Sequence, residues 1–142
     1  MFEDFSLKIE PGTTNAIVGP SGFGKTTLLN LLFRIYDPSE GKILIDGQDI
    51  KDLKFDSFRP YISIIPQNGI LFNDSILYNL QYSNPNASRE DIIRVAKICE
   101  IHDRIMSMPD GYDTVVGDLG GKLSGGERQR VLIARGLLKK DA

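Results

Sequence analysis

The features that mark the common special classes of protein are scarce in this chain of 142 residues. There is one cysteine, Cys99, so an internal disulfide framework is excluded. Basic residues are not in excess: 17 Lys and Arg stand against 19 Asp and Glu, a net charge of −2. No global basic field therefore points to nucleic acid. No apolar run approaches the about 18 residues that a membrane-spanning helix needs. The first ten residues alternate like a strand, with no charged start and apolar stretch of a signal peptide. Internal repeats, heptads and low-complexity tracts are absent too. What remains is an ordinary globular composition, 41% hydrophobic and 25% charged. Its length suits one domain with a buried core.

Against that background one stretch stands out. Gly19-Pro20-Ser21-Gly22-Phe23-Gly24-Lys25-Thr26-Thr27 fits the pattern G-x-x-x-x-G-K-S/T. The apolar run Ala16-Ile17-Val18 leads into it as a strand, and Leu28 to Phe33 leads out as a helix. Glycines let consecutive backbone N–H groups wrap an anion without Cβ clashes. The helix N-terminus adds unpaired N–H groups and the positive end of a dipole. Lys25 can reach the β- and γ-phosphates of a nucleotide, and the Thr26 hydroxyl can ligate Mg²⁺. The pattern predicts a site for a nucleoside triphosphate, with ATP and Mg²⁺ as the expected ligands.

The rest of the chain reads as alternating elements. Phe2, Phe5, Leu7 and Ile9 suggest an early strand turned by Pro11-Gly12, and Asn15 to Val18 suggests the strand that feeds the phosphate loop. The helix from about Thr26 is expected to run to Tyr36, before Asp37-Pro38. Residues 42–45 and 48–50 flank Asp46-Gly47, a hairpin signal. Tyr61 to Ile65 is β-branched and reads as another strand. After Leu71 the character becomes helical, with a short helix at 75–82. A second helix is capped by Ser88, with Asp91 three residues on, and is expected to reach Met108. Cys99 and the methionines are expected to be packing residues. Residues 110–121 read as an irregular loop. Ser124 and Glu127 have capping-box spacing and predict a helix start whose first turn is bared by Gly125 and Gly126.

Taken together, the phosphate loop and Leu123-Ser124-Gly125-Gly126-Glu127-Arg128-Gln129-Arg130 resemble the nucleotide-binding domain of an ABC ATPase, the second motif resembling that family's signature. Between them, Ile65-Pro66-Gln67-Asn68 and the following Leu71 to Ile76 are similar to its Q-loop. Leu32 to Pro38, Ile45 to Ile50 and Met108 to Asp113 resemble the exporter type. Asn79 to Pro85 and Ile101-His102-Asp103 lean towards mitochondrial half-transporters linked to iron–sulfur assembly.

The resemblance implies an α/β P-loop NTPase: a RecA-like core with an antiparallel β hairpin over about 1–70, and a helical subdomain over about 71–142. It implies that Gly19 through Thr27 bind ATP, and that Gln67 touches Mg²⁺ and the attacking water. Ser124, Gly125, Gly126 and Glu127 would bind the γ-phosphate of a nucleotide held by the opposite subunit. The implied partners are a transmembrane domain of the same transporter and a second nucleotide-binding domain in a head-to-tail dimer. The implied location is a membrane, with the matrix side of the mitochondrial inner membrane as the finer expectation.

Departures from the family pattern set further expectations. The sequence stops at Asp141-Ala142, before the strand that in the family carries a Mg²⁺-coordinating Asp and a catalytic Glu, and before a switch His. His102 lies ahead of the signature and is expected to be a surface or packed helix residue. Phe2 is a poor substitute for the aromatic residue that stacks on adenine. Asp118 stands where exporters often carry Glu. The expected object is thus a fragment incomplete at both ends, with little hydrolysis of its own and with apolar faces of the phosphate-loop helix and strand left uncovered. Three other readings compete. A chromosome-maintenance or DNA-repair ATPase would carry a signature-like motif, but Lys25 and Ser124 stand only 99 residues apart with no coiled-coil insertion. A GTPase could use Asp118-Leu119-Gly120-Gly121 as D-x-x-G, but no Asn-Lys-x-Asp motif accompanies it. A non-catalytic ATP-binding piece is the third.

Overall fold

The computed structural model describes residues 4–139. They form two compact units that divide between Phe55 and Asp56.

The first unit contains one helix, α1 (Lys25–Leu32), and one hairpin, β1 (Leu44–Ile45) with β2 (Gln48–Asp49). The hairpin forms where Asp46-Gly47 predicts it. Asp46 and Gly47 both take positive φ, 50° and 80°, and Ile45 pairs with Gln48 across the two-residue turn. The helix is shorter than expected. Arg34 adopts a left-handed φ of 50°, and the Ile35 N–H turns back to the Asn30 carbonyl at 2.9 Å, so the helix closes four residues before Tyr36. Arg34 then ties the helix end to the segment after the hairpin, donating to the carbonyls of Ile50 at 2.7 Å and Leu53 at 2.9 Å.

The expected strands at 5–9, 15–18 and 61–65 are not formed, and among the described residues the only sheet is the two-stranded hairpin. Of the RecA-like core implied by the resemblance, the described residues show the antiparallel hairpin and none of these three strands. A strand exists only where its N–H and C=O groups find a ladder partner, and these runs find none here. Their apolar side chains stay accessible: Val18 is 87% and Leu7 54% exposed. None of the eight α1 residues is buried. Phe2, part of the predicted first strand, lies outside the described residues.

At the division, α2 (Phe55–Phe58) is a single helical turn followed by a 3₁₀ turn at Arg59–Tyr61. The second unit holds the core. It contains α3 (Ile76–Gln81), α4 (Arg89–Ile98), α5 (His102–Met106) and α6 (Gly125–Leu137). Serine caps start three of these helices: the hydroxyls of Ser75, Ser88 and Ser124 accept from the backbone N–H three residues on. Ile92, Val95 and Ala96 of α4 fall at helical spacing and are buried, together with Ile76 and Leu80 of α3 and Val131, Leu132 and Ala134 of α6.

The long helix expected from Ser88 to Met108 is two helices. Glu100 has φ 53°, and the Ile101 N–H returns to the Ala96 carbonyl at 3.0 Å, which ends α4 as Arg34 ends α1. Ile101 then drops fully into the core and α5 restarts behind it. Met108 is buried, Cys99 half-buried and Met106 exposed. Burial raises the Cys99 thiol pKa, which keeps it protonated. No helix among the described residues is long and apolar enough to cross a membrane.

Candidate functional site

The 19–27 segment closes over the N-terminus of α1. Gly22 and Gly24 have φ of 83° and 88°, conformations that cost a side chain dearly and glycine nothing. Gly24 is the helix N-cap and has no side chain to satisfy the first turn. Among the described residues, the amides of Gly22, Gly24, Lys25 and Thr26 meet no hydrogen-bond acceptor. These bare donors line a cavity of about 250 Å³ formed by Ser21, Gly22, Gly24, Lys25, Thr26 and Thr27. Lys25 also lines it, and its Nζ donates to the Gly19 carbonyl at 2.6 Å and the Pro20 carbonyl at 2.7 Å in the same loop. Unpaired amides beside one small space, with an ammonium in the same loop, suit a multiply charged anion. Phe23 projects outward, 70% exposed.

A second bare helix start lies in the other unit. Ser124 and Glu127 form a complete capping box: the Ser124 Oγ accepts the Glu127 N–H at 3.3 Å, and the Glu127 Oε2 accepts the Ser124 N–H at 2.8 Å. Gly125 and Gly126 are exposed, and their amides meet no acceptor among the described residues. A Cβ at either glycine would touch nothing within 4 Å. Arg104 of α5 donates its Nε–H to the Glu127 Oε1 at 2.7 Å. The Ser124 N–H, and next the Arg104 guanidinium, hold the Glu127 carboxyl below the usual carboxylate range.

Gln67 is exposed on a turn with Asn68 in the second unit. The close approach of α6 fixes the backbone beside it, because a Cβ at Gly69 would fall 2.4 Å from Leu132 Cδ1. Asp118 accepts from the Asn73 Nδ2 at 2.7 Å, joining the loop after Gln67 to the loop before Ser124. His102 is a half-buried packing residue of α5, its Nδ1 2.9 Å from the Tyr112 hydroxyl. Sequence reasoning missed Arg104, Asn73 and the buried Asn79, whose partners lie far away in sequence or in loops without a pattern. Among the described residues no group of three or more His, Cys, Asp or Glu side chains is arranged to hold a metal.

The glycine-walled loop of the first unit and the capped glycine turn of the second are each consistent with a nucleotide-binding domain of the P-loop class. The chain belongs to the ABC transporter family, whose pattern matches residues 2–142. Among curated proteins it is 51% identical over 137 residues to the ABC transporter aclQ of Aspergillus oryzae, covering 96% of this chain and 17% of that protein. It is also 51% identical over 134 residues to the mitochondrial iron–sulfur clusters transporter ABCB7 of Oryzias latipes, covering 94% of this chain and 18% of the relative. A solved structure of a bacterial Atm1-family ABC exporter with ATP bound superposes with a TM-score of 0.82 at 55% identity, over 85% of this chain and 21% of the exporter chain. The chain therefore spans about a fifth of the length of the relatives it matches.

Proposed function

We propose that this chain is the ATP-binding module of an ABC exporter, in which ATP binding and hydrolysis drive transport across a membrane. The observation that carries the reading is the loop at 19–27, with its left-handed Gly22 and Gly24, its unpaired amides and the Lys25 ammonium held on the Gly19 and Pro20 carbonyls of the same loop. Within the Gly19–Thr27 loop the unpaired N–H groups of Gly22, Gly24, Lys25 and Thr26 receive the phosphates, and Lys25 neutralises the β- and γ-phosphates. Mg²⁺ fits this donor set as a companion of the nucleotide: Thr26 lines the same cavity, and among the described residues there is no carboxylate cage to hold the ion without phosphate. Bound there, the ion would neutralise phosphate charge. Gln67 is assigned to contact with that ion and the attacking water.

Ser124, Gly125 and Gly126 are assigned to the γ-phosphate of a nucleotide held by a second copy, with Glu127 closing the capping box that shapes their turn. A triphosphate needs its charge met from several sides in the transition state, and one loop supplies only one side. A head-to-tail dimer brings the second side. In this reading residues 1–70 carry the nucleotide core and residues 71–142 the helical subdomain that addresses the transmembrane domain. The name of one relative, an iron–sulfur clusters transporter of mitochondria, favours a mitochondrial membrane, and this module is assigned to its matrix side as part of the same reading. The names of the relatives do not favour a DNA-repair or chromosome-maintenance role.

Calorimetric titration of the chain with Mg·ATP and Mg·GTP tests the reading. The expected result is binding of Mg·ATP that weakens about tenfold or more in Lys25→Ala, since a charge-assisted contact to phosphate is lost. Undiminished affinity in that variant would sink the assignment.

A further inference from the structure

We infer that Arg104 is a positioning residue for the signature turn, holding and neutralising the Glu127 carboxylate so that the turn can receive a phosphate. The inference rests on the proposed contact between Ser124, Gly125 and Gly126 and a nucleotide held by a second copy.

The capping box serves the helix and opposes the ligand. It places a full negative charge on the third residue of α6, in the turn whose dipole and bare amides would otherwise draw an anion. A triphosphate approaching that turn meets the carboxylate first as a repulsive charge. The Arg104 guanidinium cancels it at contact distance: Nε donates to Oε1 at 2.7 Å while Oε2 is held by the Ser124 N–H at 2.8 Å. With both oxygens engaged, the carboxylate is also kept from turning onto the Gly125 and Gly126 amides, which stay available. Arg104 is itself fixed, its Nη1 donating to the Ser107 Oγ at 3.2 Å and that hydroxyl donating to the Arg104 carbonyl at 2.7 Å. Among the described residues no other cation pairs with Glu127. The side chains are 46% and 22% exposed, so solvent screens part of the effect and its size is moderate.

Self-association of the full chain in Mg·ATP, followed by sedimentation, tests this. The wild type is expected to dimerise when Mg·ATP is added, and Arg104→Gln to dimerise about three- to fivefold more weakly. Arg104→Lys keeps the charge and should stay within about twofold of wild type. The double variant Arg104→Gln with Glu127→Gln separates charge from scaffolding. It lacks the ion pair but also lacks the repulsive carboxylate, so it should recover towards wild type. A purely structural role predicts that it stays as weak as Arg104→Gln, and that result overturns the inference. So does an Arg104→Gln chain that dimerises like wild type. If the wild type binds Mg·ATP but never dimerises, the second-copy contact itself is wrong and the inference falls with it.

Discussion

Asn79 holds the backbone of Phe72 at both ends. Its Oδ1 accepts the Phe72 N–H at 2.8 Å and its Nδ2 donates to the Phe72 carbonyl at 3.0 Å. The same amide nitrogen also reaches the Ser75 carbonyl at 3.0 Å, and Asn79 is fully buried. One side chain thus fixes the loop that follows Gln67 onto the start of α3. Replacing Asn79 with Leu keeps the volume and leaves the Phe72 N–H without its acceptor, while the Phe72 and Ser75 carbonyls keep the backbone N–H groups of Asp74 and residue 79. An unpaired buried group costs about 1–3 kcal/mol, so a loss of about 1–2 kcal/mol is expected in urea denaturation. A change below about 0.5 kcal/mol, the range of ordinary surface substitutions, would show that the loop is held by something else.

Two kinds of glycine should behave oppositely. At Gly69 a Cβ would meet Leu132 Cδ1 at 2.4 Å and the Pro66 Cγ at 3.1 Å, so Gly69→Ala forces buried Leu132 to move. Overpacking of this kind costs about 1–3 kcal/mol. At Gly126 a Cβ meets nothing, so Gly126→Ala should leave stability unchanged or raise it by up to about 1 kcal/mol through helix propensity. Yet it puts a methyl group where the proposed phosphate must approach. Thermal melts with and without Mg·ATP distinguish the two: Gly69→Ala lowers the melt in both conditions, whereas Gly126→Ala loses only dimerisation in nucleotide.

Acid should weaken the start of α6. The Glu127 carboxyl titrates below its unfolded value of 4.5 because the Ser124 N–H, then Arg104, favour its charged form. A carboxyl with a lowered folded pKa contributes its full stability above the unfolded pKa and loses it as pH falls through the folded one. As pH falls below the unfolded value of 4.5 the wild type should therefore lose stability faster than Glu127→Gln, by under about 1 kcal/mol given the solvent around the pair. Equal slopes in the two proteins would mean that Glu127 is not paired in solution.

Local signals were legible in the sequence and distant ones were not. Asp46-Gly47 specifies its turn through two residues that tolerate positive φ, and the hairpin stands where it was read. Ser88 with Asp91 and Ser124 with Glu127 specify helix starts through a contact three residues long, and both caps form. The ends of helices were harder, because α1 and α4 stop at Arg34 and Glu100, residues that do not advertise a left-handed turn. The strands failed for a different reason: alternation at 5–9 and β-branching at 61–65 describe a surface ready to pair, but pairing requires a neighbour. Arg104 was invisible because its partner lies 23 residues away and nothing local announces the ion pair.

The central claim is that the bare amides of Gly22, Gly24, Lys25 and Thr26 and the Lys25 ammonium grip the phosphates of ATP. Amide chemical shifts of a ¹⁵N-labelled chain titrated with Mg·ATP test it most directly. The account predicts that the amides of Gly22, Gly24, Lys25 and Thr26 move together along one saturable curve, and that Lys25→Ala shifts that curve to much higher nucleotide. Nucleotide that binds and moves other amides while those four stay still would contradict it.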